Sequence, residues 1–287
     1  MTLATKLAAR MGSSVARSTP AAGGDINQAF HVWLQDGREL FVKTQSAALP
    51  GLFPNEARGL AWLAEANALR VPEVLLASEA DDDGPACLVL AWIERGARAR
   101  DYEEQLGTGL ARLHRTAAAC FGLDHDNYLA SLRQDNAPSE RWGIFYAERR
   151  IAPLTQLAAQ RGELPQALLR RLERLLVRIP DLVGDEEPPA RLHGDLWSGN
   201  VLCDESGAPV LIDPAVYGGH REIDLAMMRL FGGFSEAVFD AYHAAWPLSP
   251  GHEERVPLYH LYPLLAHENL FGSAYLSQVA HCIARWV

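Results

Sequence analysis

Cysteine is scarce in this sequence and scattered: Cys87, Cys120, Cys203 and Cys282 are its four, and no pair shows the C-x-x-C spacing of a zinc or redox site. A disulfide framework is not expected either, and buried thiols in a reducing cytoplasm fit the pattern. Long apolar runs are also missing. None approaches the roughly 18 residues that a bilayer demands, so no membrane segment is expected. The stretch from Met1 to Gly12 has no continuous apolar core, and no secretory signal is read there. Basic residues are outnumbered, 26 Lys and Arg against 36 Asp and Glu, and the net charge of −10 argues against nucleic acid as a partner. No internal repeat and no low-complexity tract is visible. What is present, 48% apolar and 22% charged residues over 287 positions, suits a globular protein with a sizeable core in one large domain or two lobes.

The informative stretch is His193-Gly194-Asp195-Leu196-Trp197-Ser198-Gly199-Asn200. It is too short and glycine-rich for a helix and runs into apolar Val201-Leu202, so it reads as a loop feeding a strand. Asp195 and Asn200 keep the spacing of the kinase catalytic loop H-R-D-x-x-x-x-N, in which the Asp serves as base and the Asn as a metal ligand. A second apolar strand, Val210-Leu211-Ile212, ends in Asp213, where kinases hold Mg²⁺. Together, Asn200 would offer an amide oxygen and Asp213 a carboxylate, the hard oxygen donors that Mg²⁺ prefers.

The N-terminal third has the matching order. A short amphipathic helix over 2–10 and a strand over 13–20 precede Gly23-Gly24-Asp25-Ile26-Asn27. Two adjacent glycines between strands suit a simple hairpin turn. They also suit a loop whose backbone amides, Gly23 to Asn27, cover phosphates, and their position favours that reading because a strand bearing Lys43 follows. A helix over 53–68, with Pro54 in its first turn, places Glu56 where kinases put the partner of that Lys. A helix-dipole role for Glu56 stays open. Strands over 71–77 and 86–93, joined by the polar turn 81–84, lead to a break at Glu94-Arg95-Gly96-Ala97, taken as a hinge. Adenine is expected against the backbone of Ala91, Trp92 and Ile93.

The rest reads as helices over 101–118, 142–160, 165–180, 221–231, 235–246 and 255–285, with a long polar loop over 121–140. His114 reads as a helix-surface or core residue, and Arg170, Arg171, Arg174 and Arg178 as a solvated face. The expectation is an α+β, protein-kinase-like two-lobe fold: an antiparallel-sheet N-lobe with one main helix over residues 1–93, and a mostly helical C-lobe over 94–287. Because Asp213 is followed by Pro214 rather than Phe-Gly, and no A-P-E triplet closes an activation segment, a small-molecule kinase using ATP and Mg²⁺ fits better than a protein kinase.

Several segments resemble the fructosamine kinase (ketosamine-3-kinase) family, relatives of aminoglycoside and choline kinases. They are Gly23-Gly24-x-Ile26-Asn27, Phe41-Val42-Lys43, Glu56-Ala57-x-Gly59-Leu60, the 193–200 loop, Asp213-Pro214-Ala215, Tyr217, Gly219-His220-Arg221-Glu222, Asp224-Leu225-Ala226 and His267-x-Asn269-x-Phe271-Gly272. The resemblance implies phosphorylation of the sugar 3-hydroxyl of a ketosamine, either a small molecule or a glycated lysine on a protein. The ester it forms is unstable, and its breakdown frees the amine. By the same resemblance Trp197, Tyr217, His220, Glu222, His267 and Asn269 fall on the acceptor side. On residue type alone, Trp197 could equally pack in a core, His220 and Glu222 could anchor a loop, and His267 and Asn269 suit structural roles. An aminoglycoside- or choline-type phosphotransferase and a non-catalytic nucleotide-binding module are the alternative readings. The chain departs from the family pattern at Gly218, where a second aromatic is usual, and at Glu268, where an apolar residue is usual. Asp25 takes a place that is Cys in some members.

Overall fold

The computed structural model describes residues 2–21, 27–45 and 48–287. The expected phosphate-covering glycines, Gly23 and Gly24, lie outside the described residues. The chain forms two compact units, residues 1–102 with 202–213, and residues 103–201 with 214–287. The first unit therefore runs past the break expected after Ile93, and the 202–213 hairpin, which sequence order alone places with the second lobe, is counted with the first.

The first unit opens with helix α1 (Leu3–Met11). Thr2 caps it by accepting from the Thr5 amide, and Gly12 ends it in the left-handed region at φ 70°. Strands β1 (Val15–Pro20), β2 (Gln28–Leu34) and β3 (Glu39–Gln45) follow, then helix α2 (Leu52–Ala64), and then β4 (Val74–Ser78) and β5 (Ala86–Ala91). The five strands make one antiparallel sheet in the order β1-β2-β3-β5-β4. Alternation assigns its faces. Val32, Leu34, Leu40, Val42 and Val89 pack with Leu7 of α1 on one side, and Lys43 necessarily points to the other.

The second unit begins with α3 (Tyr102–Arg115). The stretch expected to be a polar loop contains a small hairpin, β6 (Asn127–Leu129) with β7 (Leu132–Gln134). Then come α4 (Trp142–Phe145), a π-helical stretch over Tyr146–Ile151, α5 (Ala152–Gln160) and α6 (Gln166–Leu182). Pro153 lies at the start of α5 and has no N–H for an α-helical bond to the previous turn, which accounts for the wider π register just before it. Strand β8 (Ala190–Leu192) leads into the 193–200 loop. Strands β9 (Val201–Cys203) and β10 (Pro209–Leu211), which apart from Val201 are counted with the first unit, pair with each other, and β11 (Tyr217–Gly219) pairs with β8. Helices α7 (Glu222–Leu230), α8 (Glu236–Ala245), α9 (His252–Phe271) and α10 (Leu276–Ile283) complete the unit. The single helix expected over 255–285 is broken at Gly272, whose backbone (φ 87°, ψ −168°) is accessible in practice only to glycine.

Gly218 is explained by the same structure. Its amide donates to Gly122 O at 2.7 Å and its carbonyl accepts from Gly122 N at 2.9 Å, and a Cβ there would lie 2.0 Å from Cys120 O. A larger residue cannot enter while that approach is kept. Among the described residues no helix is long and apolar enough to cross a membrane.

Candidate active site

In the first unit, Lys43 on β3 is buried. Its Nζ donates to Glu56 Oε1 at 2.8 Å and pairs with Asp213 Oδ1 at 2.7 Å. Burial alone pulls the ammonium's pKa down, but the two carboxylates outweigh it, and the pKa is raised above its ordinary value. Burial pushes the Glu56 carboxyl up, with Lys43 opposing. Helix α2 begins one residue earlier than expected, so Glu56 sits past its first turn and the dipole reading gives way to the ion pair.

Asp213 reaches this cluster because its hairpin is anchored within the same unit. Leu211 N donates to Arg70 O at 2.9 Å, and Arg70 Nη1 donates to Asp204 Oδ2 at 2.6 Å. Asp204 Oδ1 also accepts from Ser206 N, Ser206 Oγ and Ala208 N. Although burial opposes it, these bonds hold its carboxyl at about 2. Asp213 itself has φ 55°, a left-handed backbone that costs a non-glycine residue about 1 kcal/mol and is typical of functional positions.

The remaining nucleotide-side candidates lie in the same unit. Asn27 has its Oδ1 buried without a hydrogen-bond partner among the described residues. The Ala91 amide donates to Glu73 O and the Trp92 amide to Glu39 O, so neither of these donors is left for a base, and Ile93 is buried. The Trp92 ring stacks on His31, with centroids 3.4 Å apart and planes 4° apart, and Trp33 lies beyond at 3.6 Å from His31. This ladder crosses strands, and nothing in the local sequence announces it.

In the second unit, Asn200 is buried and its Nδ2 donates to Asp195 O at 2.8 Å and to Asp195 Oδ2 at 3.0 Å. Both of these bonds use Nδ2, which leaves the amide oxygen Oδ1 to act as an acceptor toward a cation. The loop is clamped from behind by Asp224 of α7. Its Oδ2 accepts from His193 N at 2.7 Å and its Oδ1 from Gly194 N at 3.0 Å. His114 Nε2 lies 3.2 Å from Asp224 Oδ2, and His114 Nδ1 lies 2.9 Å from the Tyr242 hydroxyl. Burial favours the neutral acid at Asp224, but His114 and the main-chain amides prevail and its pKa is lowered. Gly194 is required there: its φ is 83°, and a Cβ would lie 2.0 Å from Ala215 O.

The acceptor-side candidates divide. Trp197 is exposed, its ring lying against Gly199, where a Cβ would come within 2.2 Å of it. Three others are buried, and for His220 and Glu222 this suits the loop-anchoring alternative. Tyr217 is buried under the Arg150 guanidinium, 4.0 Å from its ring, and burial raises its hydroxyl to about 12. His220 stacks on Tyr259 at 5.8 Å, and burial lowers its pKa. Glu222 is buried in a two-bond ion pair with Arg255, at 2.6 and 2.9 Å. Their side chains hold the 217–222 segment in place. On α9, Asn269 is likewise structural: its Nδ2 donates to Leu154 O and Leu265 O, tying α9 to α5. His267 is half-buried, donates from Nδ1 to Pro263 O at 2.8 Å, and sits among aromatic rings.

Sequence reasoning missed the Asp224–His114–Tyr242 clamp and a buried amide network on the β6–β7 hairpin. In that network Asn127 donates to Val216 O at 2.8 Å and Gln134 to Asn127 Oδ1 at 2.9 Å. The run Asn127…Gln134…Asn136 in a stretch read as loop was the available signal, since buried amides must find partners.

Comparison with known proteins agrees with this arrangement. Residues 1–287 match the family model for fructosamine kinase. The chain is 39% identical over 264 residues to a probable ketoamine kinase of Enterococcus faecium, covering 91% of each. It is 37% identical over 265 residues to the chloroplastic protein-ribulosamine 3-kinase of Arabidopsis thaliana, covering 91% of this chain and 79% of that protein. The crystal structure of a candidate fructosamine-3-kinase from Thermobifida fusca superposes with a TM-score of 0.89 at 40% identity, over 98% of this chain and 97% of that one. A choline/ethanolamine kinase family protein from Mesorhizobium loti, at 17% identity and TM-score 0.59 over 94% and 86%, shares the fold, which is kinase-like.

Proposed function

The chain belongs to the fructosamine kinase family, and from that premise we propose that it transfers the γ-phosphoryl group of ATP to the sugar 3-hydroxyl of ketosamines, on small amines or on lysines of proteins. It is an enzyme of the phosphotransferase class with an alcohol acceptor. The observation that carries the reading is the buried Lys43 between Glu56 and Asp213, a fixed cation of the kind phosphoryl transfer demands.

In this scheme Lys43, oriented by Glu56, meets the phosphate charge, and the Asn27 side chain and the backbone of Ala91, Trp92 and Ile93 serve the nucleotide. Asp213 and Asn200 offer the carboxylate and amide oxygens that suit Mg²⁺, which when bound supplies charge neutralisation of the phosphates. Asp195, steadied by Asn200, accepts the proton of the 3-hydroxyl as its oxygen bonds to the γ-phosphorus and the bond to the bridging oxygen of ADP breaks. Phosphate at C3 is a far better leaving group than hydroxide, so the adduct decomposes and the amine is released, which is deglycation. A requirement for ATP and four free cysteines both fit the cytoplasm.

The test is turnover with ribulose-lysine, fructose-lysine and kanamycin side by side, with Asp195→Asn as the control. Phosphorylation of a ketosamine at O3, lost in Asp195→Asn while ATP still binds, is the expected outcome. Robust transfer to kanamycin with none to either ketosamine overturns the assignment.

A further inference from the structure

Four large apolar side chains are exposed among the described residues: Val177 (80%), Phe271 (52%), Trp197 (39%) and Phe231 (39%). Val177 stands on α6, off the face that buries Leu168, Leu172, Leu175 and Ile179. The other three are connected. His267 lies between two of them, its ring 4.8 Å from Phe231 and 5.5 Å from Phe271. The loop after Phe231 returns to the catalytic loop, because a Cβ at Gly233 would come within 2.6 Å of Ser198 Cβ, next in sequence to Trp197. The loop carrying Trp197, two residues after Asp195, therefore meets the loop that follows Phe231, and His267 carries the ring contacts on to the C-terminal end of α9.

Exposed aromatics gathered in one place mark a binding surface rather than ordinary scatter. Their chemistry points to a cation, since aromatic faces attract ammonium groups through the ring quadrupole. His267 does not oppose that. Its Nδ1 is engaged with Pro263 O, and burial holds its pKa below the ordinary value, so the ring is neutral at pH 7. The net charge of −10 adds long-range attraction for a positive ligand. A ketosamine carries such a group: its secondary amine, protonated at neutral pH, is one carbon from the sugar carbonyl.

We infer that Phe231 and Phe271, with His267 between them, form an aromatic surface that takes the secondary ammonium of the ketosamine and the first carbons of its carrier. The surface thereby sets a preference for charged amine adducts over neutral sugar derivatives. This rests on the ketosamine kinase reading and deepens it: Asp195 addresses the hydroxyl, and the aromatic surface addresses the nitrogen.

The experiment compares kcat/KM for two acceptors bearing the same sugar, ribulose on butylamine and its N-acetyl counterpart, in which the nitrogen is neutral. Phe231→Leu and Phe271→Leu keep apolar bulk and lose the ring. Phe231→Tyr and Phe271→Tyr keep the ring. The charged-over-neutral ratio is expected to fall on the order of tenfold in the Leu variants, through KM for the charged acceptor, and to hold in the Tyr variants. Val177→Ala, remote from this surface, should leave the ratio unchanged, and melting curves confirm that each variant is folded. Leu variants that keep the wild-type ratio, or that lose both acceptors equally, overturn the inference and leave the kinase assignment standing. A wild-type enzyme that phosphorylates no ketosamine overturns both.

Discussion

Two buried clusters of titratable side chains, one in each unit, are opposite in character. Lys43, Glu56 and Asp213 sum to −1 when all are ionised, and Asp213 keeps 24% of its side chain exposed. Acceptor capacity is left over there, at a residue held in a strained backbone conformation. Asp224 and His114 are sealed, and both oxygens of Asp224 are committed to the His193 and Gly194 amides and the imidazole. Each cluster has shifted ionisation, so a shift alone does not separate chemistry from scaffolding. What separates them is whether any charge or lone pair remains for a ligand to use.

Removing the cation from the open cluster should have the largest effect. Lys43→Ala is expected to lower kcat/KM for ATP by about 10²–10³-fold, the range for losing one preorganised charge donor. Its effect on stability is smaller than that of breaking a fully buried pair, because Asp213 is partly hydrated and Glu56, whose carboxyl is already raised, can take a proton. Steady-state kinetics and a melting curve on one preparation check this. Unchanged kcat/KM would remove Lys43 from the proposed machinery.

The closed cluster should answer in the reverse order. In Asp224→Asn one acceptor oxygen becomes an NH₂ group facing a main-chain N–H, and stability should fall by about 3 kcal/mol. The loss of kcat should follow the loosening of the His193–Gly194 turn rather than any direct contact with substrate. The pH dependence sharpens the contrast. Asp224 has a folded pKa below its unfolded value of about 3.9, so its contribution is present above that value and disappears as pH falls through the lower folded one. Wild type should therefore lose its advantage over Asp224→Asn in acid. A stability difference that stays constant from pH 7 to pH 3 would contradict an ionised Asp224.

The open cluster was legible in the sequence and the closed one was not, for a physical reason. Lys43, Glu56, Asp195, Asn200 and Asp213 are each tied to a neighbouring strand, turn or helix start, so short-range spacing places them. His114 and Asp224 are 110 residues apart, and only the packing of α3 against the segment after β11 joins them. The same limit explains Tyr217, His220 and Glu222. Residue type left loop anchoring open for His220 and Glu222, yet whether such side chains are sealed depends on Arg150, Tyr259 and Arg255, which local sequence cannot supply. Glycine was the better guide: Gly194 and Gly218 mark close backbone approaches that the structure shows directly.

Glu268 offers the smallest effect and a third kind of buried charge, neither used nor sealed by partners. It stands on α9 with 0% exposure, and neither carboxylate oxygen has a hydrogen-bond partner among the described residues. Burial raises its pKa first and the Glu163 carboxylate raises it further. Arg161 lowers it, but its Nη1 donates to Asn269 O. An acid whose folded pKa exceeds its unfolded one costs stability as pH rises from the unfolded value through the folded one, because the native state gives up a proton it holds more tightly. Glu268→Gln removes that dependence while keeping the shape. It should match wild type near pH 4 and be more stable by about 1 kcal/mol at pH 8, the scale for an imperfectly satisfied buried polar group. Glu268→Leu should gain slightly more, because an apolar side chain has no polar group to desolvate at that position. Melting curves taken from pH 4 to pH 8 decide the matter. If wild type and Glu268→Gln run parallel across that range, the carboxyl titrates alike in the folded and unfolded chains and some group compensates its burial. If they diverge with rising pH, α9 carries a carboxyl whose pKa is raised by burial, the reverse of Asp224, whose pKa His114 and two main-chain amides lower.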